Sequence, residues 1–215
     1  MLESVLFDMD GLLIDSEPLQ FQAYRQAFAS FGYDLDRAGW TRWHNVEASA
    51  ARFIQDTGLD IDGAQVRAMK KELYEQMIDD ELELKPGAPQ LVEACASECR
   101  LALVSGSRSE SIERCLKKFD LLQHFSVLVS GADQARSKPY PDAYLEGMRQ
   151  LGTAPERALA FEDSASGFRA AVAAGLGCIV CPDSFRAHPD DAFDGAALVV
   201  DSLLEITMDR LKAIV

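Results

Sequence analysis

The sequence lacks the apolar segments that carry proteins to or across a membrane. It has no run of about 18 apolar residues, so we expect no helix that spans a bilayer. No basic segment precedes the short apolar run near Met1, and acidic residues soon interrupt that run, which argues against a secretory signal peptide. We therefore expect a soluble, cytoplasmic protein with no membrane partner.

Positive charge is also scarce. The 21 lysines and arginines are outnumbered by 35 aspartates and glutamates, which gives a formal net charge of −14. Binding to nucleic acid depends on Lys and Arg side chains that neutralise phosphates, so we expect no nucleic-acid partner. An enzyme of anionic substrates would need local positive charge to overcome this background. A bound metal ion is one supplier of such charge.

Cysteines are few, and their number is odd. The five cysteines have no secretory context, so we expect reduced thiols. Cys178 and Cys181 have CxxC spacing, but they lie in an apolar, strand-like run that would point their side chains to opposite faces. No second CxxC completes a zinc site.

Short, continuously apolar runs recur along the sequence and are typical of strands that are covered on both faces. Helix-like segments lie between most of them. This alternation predicts an α/β protein with a Rossmann-like parallel sheet and helices on both sides. The predicted strands are Val5–Phe7, Leu101–Val104, Val127–Val129, Ala158–Phe161, Cys178–Val180 and Leu198–Val200, and the predicted helices are Ala88–Glu98, Ser109–Phe119, Asp142–Leu151 and Ser166–Ala174.

One stretch breaks this alternation. From about Glu17 to Leu82 the sequence has helical periodicity but no convincing strand. The stretch is too long for a crossover connection, which usually needs one helix. We predict that residues 16–82 form an inserted α-helical cap subdomain, whereas residues 1–15 and 83–215 form the α/β core. An elaborated surface excursion of the core is the plainer alternative.

Acidic residues follow the first predicted strand. Asp8 and Asp10 lie two positions apart and precede Gly11. In an extended backbone both carboxylates project to the same side, and Gly11 lets the chain turn away without a Cβ clash. Two carboxylates this close repel each other unless a cation lies between them or one holds a proton. The pair therefore predicts a metal site or a general acid, and capping of a following helix is the alternative.

A second acidic pair, Glu162 and Asp163, follows the fourth predicted strand. In a parallel sheet the strand ends lie at one edge, so this pair can converge with Asp8 and Asp10. Four carboxylates gathered there need a cation, and hard oxygen ligands suit Mg²⁺. The alternative is that Asp163 or Ser164 only caps the next helix.

Candidate phosphate ligands follow the second and third strands. Ser105, Gly106 and Ser107 precede a helix, where hydroxyls, a glycine and free backbone amides form an anion cradle. Lys138 lies in a stretch that Pro139 and Pro141 make stiff, and a lysine held near an acidic edge can pair with a nucleophile and a phosphate. Taken alone, each of these motifs also fits an ordinary loop.

The order of the motifs along the chain is specific. Asp-x-Asp-Gly, Ser-Gly-Ser, Lys-Pro and Glu-Asp each follow a successive apolar strand. In this respect the sequence resembles the haloacid dehalogenase-like (HAD) hydrolase superfamily over essentially its whole length. More narrowly, it resembles the helical-cap branch that includes β-phosphoglucomutase and sugar-phosphate phosphatases.

The resemblance implies covalent catalysis on a small phosphorylated metabolite, with Mg²⁺ as cofactor. Asp8 would be the nucleophile that forms an aspartyl-phosphate. Asp10 would protonate the leaving oxygen and then deprotonate the attacking water. The implied ligands of Mg²⁺ are Asp8, the backbone carbonyl of Asp10, Glu162 and Asp163, and those of the phosphoryl oxygens are Ser105, the Gly106 amide and Lys138.

Residues of the predicted cap distinguish a phosphatase from a mutase. β-Phosphoglucomutases carry a cap histidine and a cap arginine that grips a second phosphate, whereas this sequence has Gln20 at the histidine's position and Glu47 in the arginine's region. We therefore predict a monomeric phosphatase of small, phosphosugar-like monoesters, with a β-phosphoglucomutase-like mutase as the alternative. A binding protein with a vestigial site is disfavoured, because no core motif position is lost. The candidate cap residues for sugar recognition are Glu17, His44, Asn45 and Glu47.

Overall fold

The computed structural model describes residues 1–44 and 50–215, with the backbone alone for residues 42–44, 51 and 52. The chain divides into two compact units. The core unit comprises Met1–Ile14, Leu84–Asp183 and Pro189–Val215, and the cap unit comprises Asp15–Glu83 and Ser184–His188.

Strands and helices alternate through the core unit, whereas the cap unit is helical in its described part. The strands are β1 (Ser4–Phe7), β2 (Arg100–Ser105), β3 (Val127–Ser130), β4 (Ala158–Glu162), β5 (Gly177–Val180) and β6 (Leu198–Val199). The helices are α1 (Glu17–Ala29), α2 (Arg37–His44), α3 (Ala50–Thr57), α4 (Gly63–Glu81), α5 (Ala88–Ala96), α6 (Ser109–Lys118), α7 (Asp142–Leu151), α8 (Ala165–Ala173) and α9 (Met208–Lys212).

The strands of the core unit form one parallel sheet. Their order is β3-β2-β1-β4-β5-β6, and every pairing among them is parallel. The prediction of an α/β fold with a Rossmann-like parallel sheet and an inserted helical cap is confirmed. Since β1 lies between β2 and β4, the strand order reverses at β1.

The central strands are buried on both faces, as their continuous apolar runs predicted. Side chains alternate across a strand, so neighbouring residues of β1 face opposite layers. Leu6 packs in a cluster with Tyr144 of α7 and Phe168 of α8. Phe7 instead stacks on Phe161, with ring centroids 5.0 Å apart. Helix α5 contacts β2, and helix α6 contacts β3.

The cap unit has an aromatic core of its own. Phe28 of α1 and Phe53 of α3 make an edge-to-face contact with centroids 5.3 Å apart, and Trp40 of α2 is fully buried beside them. The unit also includes Ser184–His188, which the predicted boundaries assigned to the core. Arg37 donates a hydrogen bond to the Phe185 carbonyl over 2.5 Å.

The described helices include none that is both long enough and apolar enough to cross a membrane. The five cysteines are free thiols, and three of them are buried. This agrees with the expectation of reduced cysteines rather than a disulfide framework.

Candidate active site

The candidate site lies where β1 and β4 end side by side. The register pairs Phe7 with Phe161, and the Asp8 amide extends this ladder by donating to the Phe161 carbonyl over 3.0 Å. Asp8 therefore lies beside Glu162, the last residue of β4. Open α/β sheets bind ligands at the carboxyl ends of their strands, where the strand order reverses, and β1 is at that point.

Three buried carboxylates meet at this edge. Asp8, Glu162 and Asp163 each offer an oxygen atom, and these atoms all lie within 4.8 Å of one another. The donors are hard oxygen ligands only, which fits a divalent cation such as Mg²⁺. The structure thus brings together the three residues whose side chains were predicted to bind metal.

The chain turns sharply after the second aspartate of the first motif. Gly11 has a φ of +84°, and its amide donates to the Ile14 carbonyl over 2.9 Å. A residue with a Cβ rarely adopts this left-handed conformation, so the glycine suits the turn. This is the role that the sequence predicted for Gly11.

Lys138 contacts two of the three clustered carboxylates. Its Nζ donates to Asp8 Oδ1 and to Glu162 Oε1, both over 2.6 Å, and to the Val104 carbonyl over 2.9 Å. Burial alone would lower the pKa of Lys138, but the attraction of Asp8 and Glu162 outweighs burial and raises the pKa. The ammonium group is therefore charged and held between the two acids.

The ionisation of Asp8 depends on its surroundings. Burial raises the pKa of Asp8 to about 7, and the negative charges of Glu162 and Asp10 add to this effect while Lys138 opposes it. The ionised carboxylate thus needs positive charge nearby. A bound divalent cation would favour that ionised form.

Asp10 points its carboxylate at the predicted anion cradle. Its Oδ2 accepts hydrogen bonds from the hydroxyls of Ser105, over 3.1 Å, and Ser107, over 2.9 Å. The Ser107 amide in turn donates to Ser105 Oγ over 3.0 Å, while Gly106 between them is exposed. The Ser-Gly-Ser motif predicted Ser105 and Gly106 as phosphate ligands, but the contact of Ser107 with Asp10 was not predicted.

Three further contacts of the core site were missed from the sequence. The Tyr144 hydroxyl donates to Glu162 Oε1 over 2.5 Å. Lys85 Nζ pairs with Asp183 Oδ2 over 2.8 Å, and the Asp183 amide donates to the Asp163 carbonyl over 3.3 Å. An acid shortly after the end of β5 was a signal for Asp183, since Asp8 and Asp163 also follow strand ends.

The predicted cap residues are only partly described. Glu17 lies in the first turn of α1, is buried, and pairs with Arg186 of the same unit over 2.6 Å. His44 ends α2, but its side chain is outside the described residues, as are Asn45 and Glu47 entirely. For those three residues, a role in sugar recognition stays a prediction.

The family model of the haloacid dehalogenase-like hydrolases matches residues 5–181. This match spans β1 to β5 and includes every residue of the carboxylate cluster. The chain belongs to this family. The resemblance that the motif order indicated is therefore confirmed.

Relatives of this HAD-like hydrolase include phosphatases. Protein CbbY of Cereibacter sphaeroides is 34% identical, over 96% of this chain and 94% of CbbY. The phosphorylated carbohydrates phosphatase of Thermotoga maritima is also 34% identical, over 81% of this chain and 82% of its own length. The prediction of a HAD-like phosphatase, an enzyme that hydrolyses phosphoric monoesters, is confirmed.

A solved structure extends the similarity to the fold. A mutant of CbbY from Rhodobacter sphaeroides in complex with xylulose-(1,5)bisphosphate matches this hydrolase with a TM-score of 0.84 and 30% identity. The match covers 98% of this chain and 99% of the CbbY chain.

Proposed function

We propose that this hydrolase removes phosphate from small phosphorylated sugars through an aspartyl-phosphate on Asp8, with Mg²⁺ as cofactor. The observation that carries the proposal is the contact of Asp8 with Lys138 inside a group of three buried carboxylates. The relatives support the substrate class. One is named a phosphorylated carbohydrates phosphatase, and the CbbY mutant binds xylulose-(1,5)bisphosphate.

The metal would be held by Asp8, Glu162, Asp163 and the backbone carbonyl of Asp10. When bound, Mg²⁺ supplies positive charge that offsets the acidic cluster and the charge of the transferred phosphoryl group. Such a charge would explain how a chain with a formal net charge of −14 can bind an anionic substrate.

Asp8 is the nucleophile in this proposal. One carboxylate oxygen forms a bond to phosphorus while the bond between phosphorus and the sugar oxygen breaks. Lys138, 2.6 Å from Asp8 Oδ1, orients the carboxylate and favours its ionised form. The hydroxyl of Ser105, the Gly106 amide and Lys138 bind the phosphoryl oxygens and stabilise the charge that develops on them.

Asp10 is the general acid and base. It donates a proton to the departing sugar oxygen, and then takes a proton from the water that attacks the aspartyl-phosphate. The products are the free sugar, inorganic phosphate and regenerated Asp8. The Ser107 hydroxyl holds the Asp10 carboxylate at the edge of the site, within 2.9 Å. The Ser105 hydroxyl, which lies 3.1 Å from the same oxygen, has a single proton and donates it to the phosphoryl group instead when substrate is bound.

A phosphate-release screen on sugar monophosphates and bisphosphates tests this proposal. We expect release with Mg²⁺ and a loss of at least about 10³-fold with EDTA or in Asp8→Asn. Asp190→Asn, at an exposed position, is the matched control and should retain activity. Release that survives both EDTA and Asp8→Asn would contradict the mechanism.

The same screen separates hydrolysis from phosphoryl transfer between two positions of a sugar. A β-phosphoglucomutase-like enzyme would convert one sugar monophosphate into its isomer, depend on a sugar bisphosphate and release little free phosphate. Gln20 and Glu47, where mutases have cationic cap groups, favour hydrolysis. Isomerised product without free phosphate would replace the phosphatase assignment with a mutase.

A further inference from the structure

We propose that Tyr144 is a positioning residue for phosphoryl transfer, because its hydroxyl fixes the orientation of the Glu162 carboxylate in the metal site. The inference rests on the proposed function, in which Glu162 binds Mg²⁺. Tyr144 lies in the first turn of α7, and both residues are fully buried. The hydroxyl donates to Glu162 Oε1 over 2.5 Å.

The contacts of Glu162 differ between its two oxygens. Oε1 accepts hydrogen bonds from Tyr144 and from Lys138 Nζ. Oε2 accepts one longer contact, from the Ser164 hydroxyl over 3.3 Å. Since a carboxylate oxygen has two lone pairs, Oε1 is saturated and Oε2 retains a lone pair for a cation. Tyr144 thereby determines which oxygen of Glu162 can bind the metal.

Helix α8 closes the space on the other side of this carboxylate. A Cβ at Gly167, in the first turn of α8, would stand 2.0 Å from Glu162 Oε2 and 2.1 Å from Oε1. Ser164 caps the same turn by accepting from the Gly167 amide over 3.1 Å. The carboxylate is therefore confined between α7, which supplies the hydroxyl, and α8, which leaves room only because residue 167 is a glycine.

A purely structural role for Tyr144 is the alternative. Its ring belongs to the apolar cluster between the sheet and α7, and a buried tyrosine needs a partner for its hydroxyl in any case. The partner distinguishes the two roles. The hydroxyl contacts Glu162, and the ring centroid lies 5.0 Å from Lys138 Nζ, so Tyr144 touches both members of the ion pair beside Asp8.

The test is Tyr144→Phe, which keeps the ring and removes the hydroxyl. Mg²⁺ binding is measured by calorimetry and by the rise in Tm on adding Mg²⁺, together with kcat and KM on a sugar phosphate. We expect the Kd for Mg²⁺ to rise by about 10-fold or more, with a similar fall in kcat, because partners that orient metal ligands have effects of that size. KM for the sugar phosphate should change little, since the hydroxyl does not touch substrate.

Ser4→Ala is the matched control. It also removes a fully buried hydroxyl of the core unit, one that is 2.6 Å from Thr153 Oγ1. Ser4 begins β1, at the opposite end of the strand from Asp8. Both variants should lower the Tm to a similar extent, but Ser4→Ala should leave the Kd for Mg²⁺ unchanged. Equal behaviour of the two variants in Mg²⁺ binding would overturn the proposal.

Gly167→Ala supplies a second variant, because its Cβ would displace the Glu162 carboxylate from the side of α8. We expect it to weaken Mg²⁺ binding as Tyr144→Phe does. A loss in Gly167→Ala but none in Tyr144→Phe would show that Tyr144 has no part in orienting Glu162. If the wild-type protein itself bound no Mg²⁺, the proposed cofactor would be wrong, and the role of Tyr144 would fall with it.

Discussion

Gly11 and Asp163 approach so closely that a Cβ at position 11 would stand 2.3 Å from Asp163 Oδ2. Gly11 also has a φ of +84°, which favours glycine. The glycine that follows the first acidic pair therefore serves the turn and also leaves room for a carboxylate of the predicted metal site.

Replacing Gly11 with alanine should disrupt the site more than the fold. In Gly11→Ala the new Cβ displaces the Asp163 carboxylate, so we expect Mg²⁺ binding and phosphatase activity to fall by at least about 10-fold. Gly195→Ala is the control, because Gly195 has a similar φ of +86° but no atom within 4 Å of a Cβ. Gly195→Ala should lower the free energy of unfolding only by the backbone strain, about 1 to 2 kcal/mol. Calorimetry with Mg²⁺ and urea unfolding separate the two effects, and an unaltered Mg²⁺ affinity in Gly11→Ala would contradict this account.

Asp8 should make the metal-free protein less stable as pH rises. Burial raises its pKa to about 7 from an ordinary value of 3.8, so between these values the folded state binds more protons than the unfolded state. The free energy of unfolding then falls as pH rises through this window and levels off above about pH 7. Asp8→Asn removes this dependence. In EDTA it should match the wild type near pH 4 and exceed it at pH 8, by an amount on the order of a few kcal/mol.

Urea denaturation in EDTA at several pH values tests the prediction for Asp8. Asp190→Asn, at an exposed position, should follow the wild-type curve. Mg²⁺ added at pH 8 should stabilise the wild type much more than Asp8→Asn, because a ligand stabilises the state that binds it. Parallel curves for the wild type and Asp8→Asn in EDTA would mean that Asp8 is ionised at no cost in the folded protein.

The parallel sheet and the acidic residues at its edge could be predicted from the sequence, because both follow from local sequence patterns. Asp8 and Glu162 come at or directly after apolar runs of strand length, and parallel strands end at a common edge. The roles of Ser107 and Tyr144 could not be read in this way. Ser107 contacts Asp10 across 97 residues of sequence, and Tyr144 reaches Glu162 only because α7 packs that face against the sheet.

The extent of the cap unit could not be predicted fully from the sequence. Helical periodicity identified most of its helices, but nothing local indicates that residues 184–188, just after β5, group with them. That grouping includes the contact of Arg186 with Glu17, which are 169 residues apart. Pairings at such separations depend on the folded arrangement of the cap unit and not on any spacing in the chain.

Removing the ammonium group of Lys138 should leave the buried carboxylates of Asp8 and Glu162 without their paired positive side chain. In Lys138→Met we expect kcat to fall by about 10²- to 10³-fold, since Lys138 is a proposed donor to the phosphoryl oxygens. The pKa of Asp8 should rise further, because Lys138 opposes its increase. The acid limb of the pH–rate profile should therefore move to higher pH. Lys117→Met is the control, since Lys117 pairs with Glu113 over 2.8 Å at the exposed surface. A pH–rate profile that keeps its acid limb in Lys138→Met would contradict the electrostatic role.

The ion pair of Glu17 and Arg186 should stabilise the cap unit and not select the substrate. The two side chains are 2.6 Å apart, and the side chain of Glu17 is only 3% exposed. Removing one member of a buried ion pair costs about 3 to 5 kcal/mol of stability. We expect Glu17→Gln and Arg186→Gln each to lower the free energy of unfolding, and the double variant to lose less than the sum, because the two side chains contact each other. From the sequence, Glu17 was instead predicted to recognise the sugar. If it does, Glu17→Gln should change the ratio of kcat/KM between two sugar phosphates. Urea unfolding of the three variants and that ratio decide between the roles. Additive stability losses together with an altered ratio would assign Glu17 to the substrate.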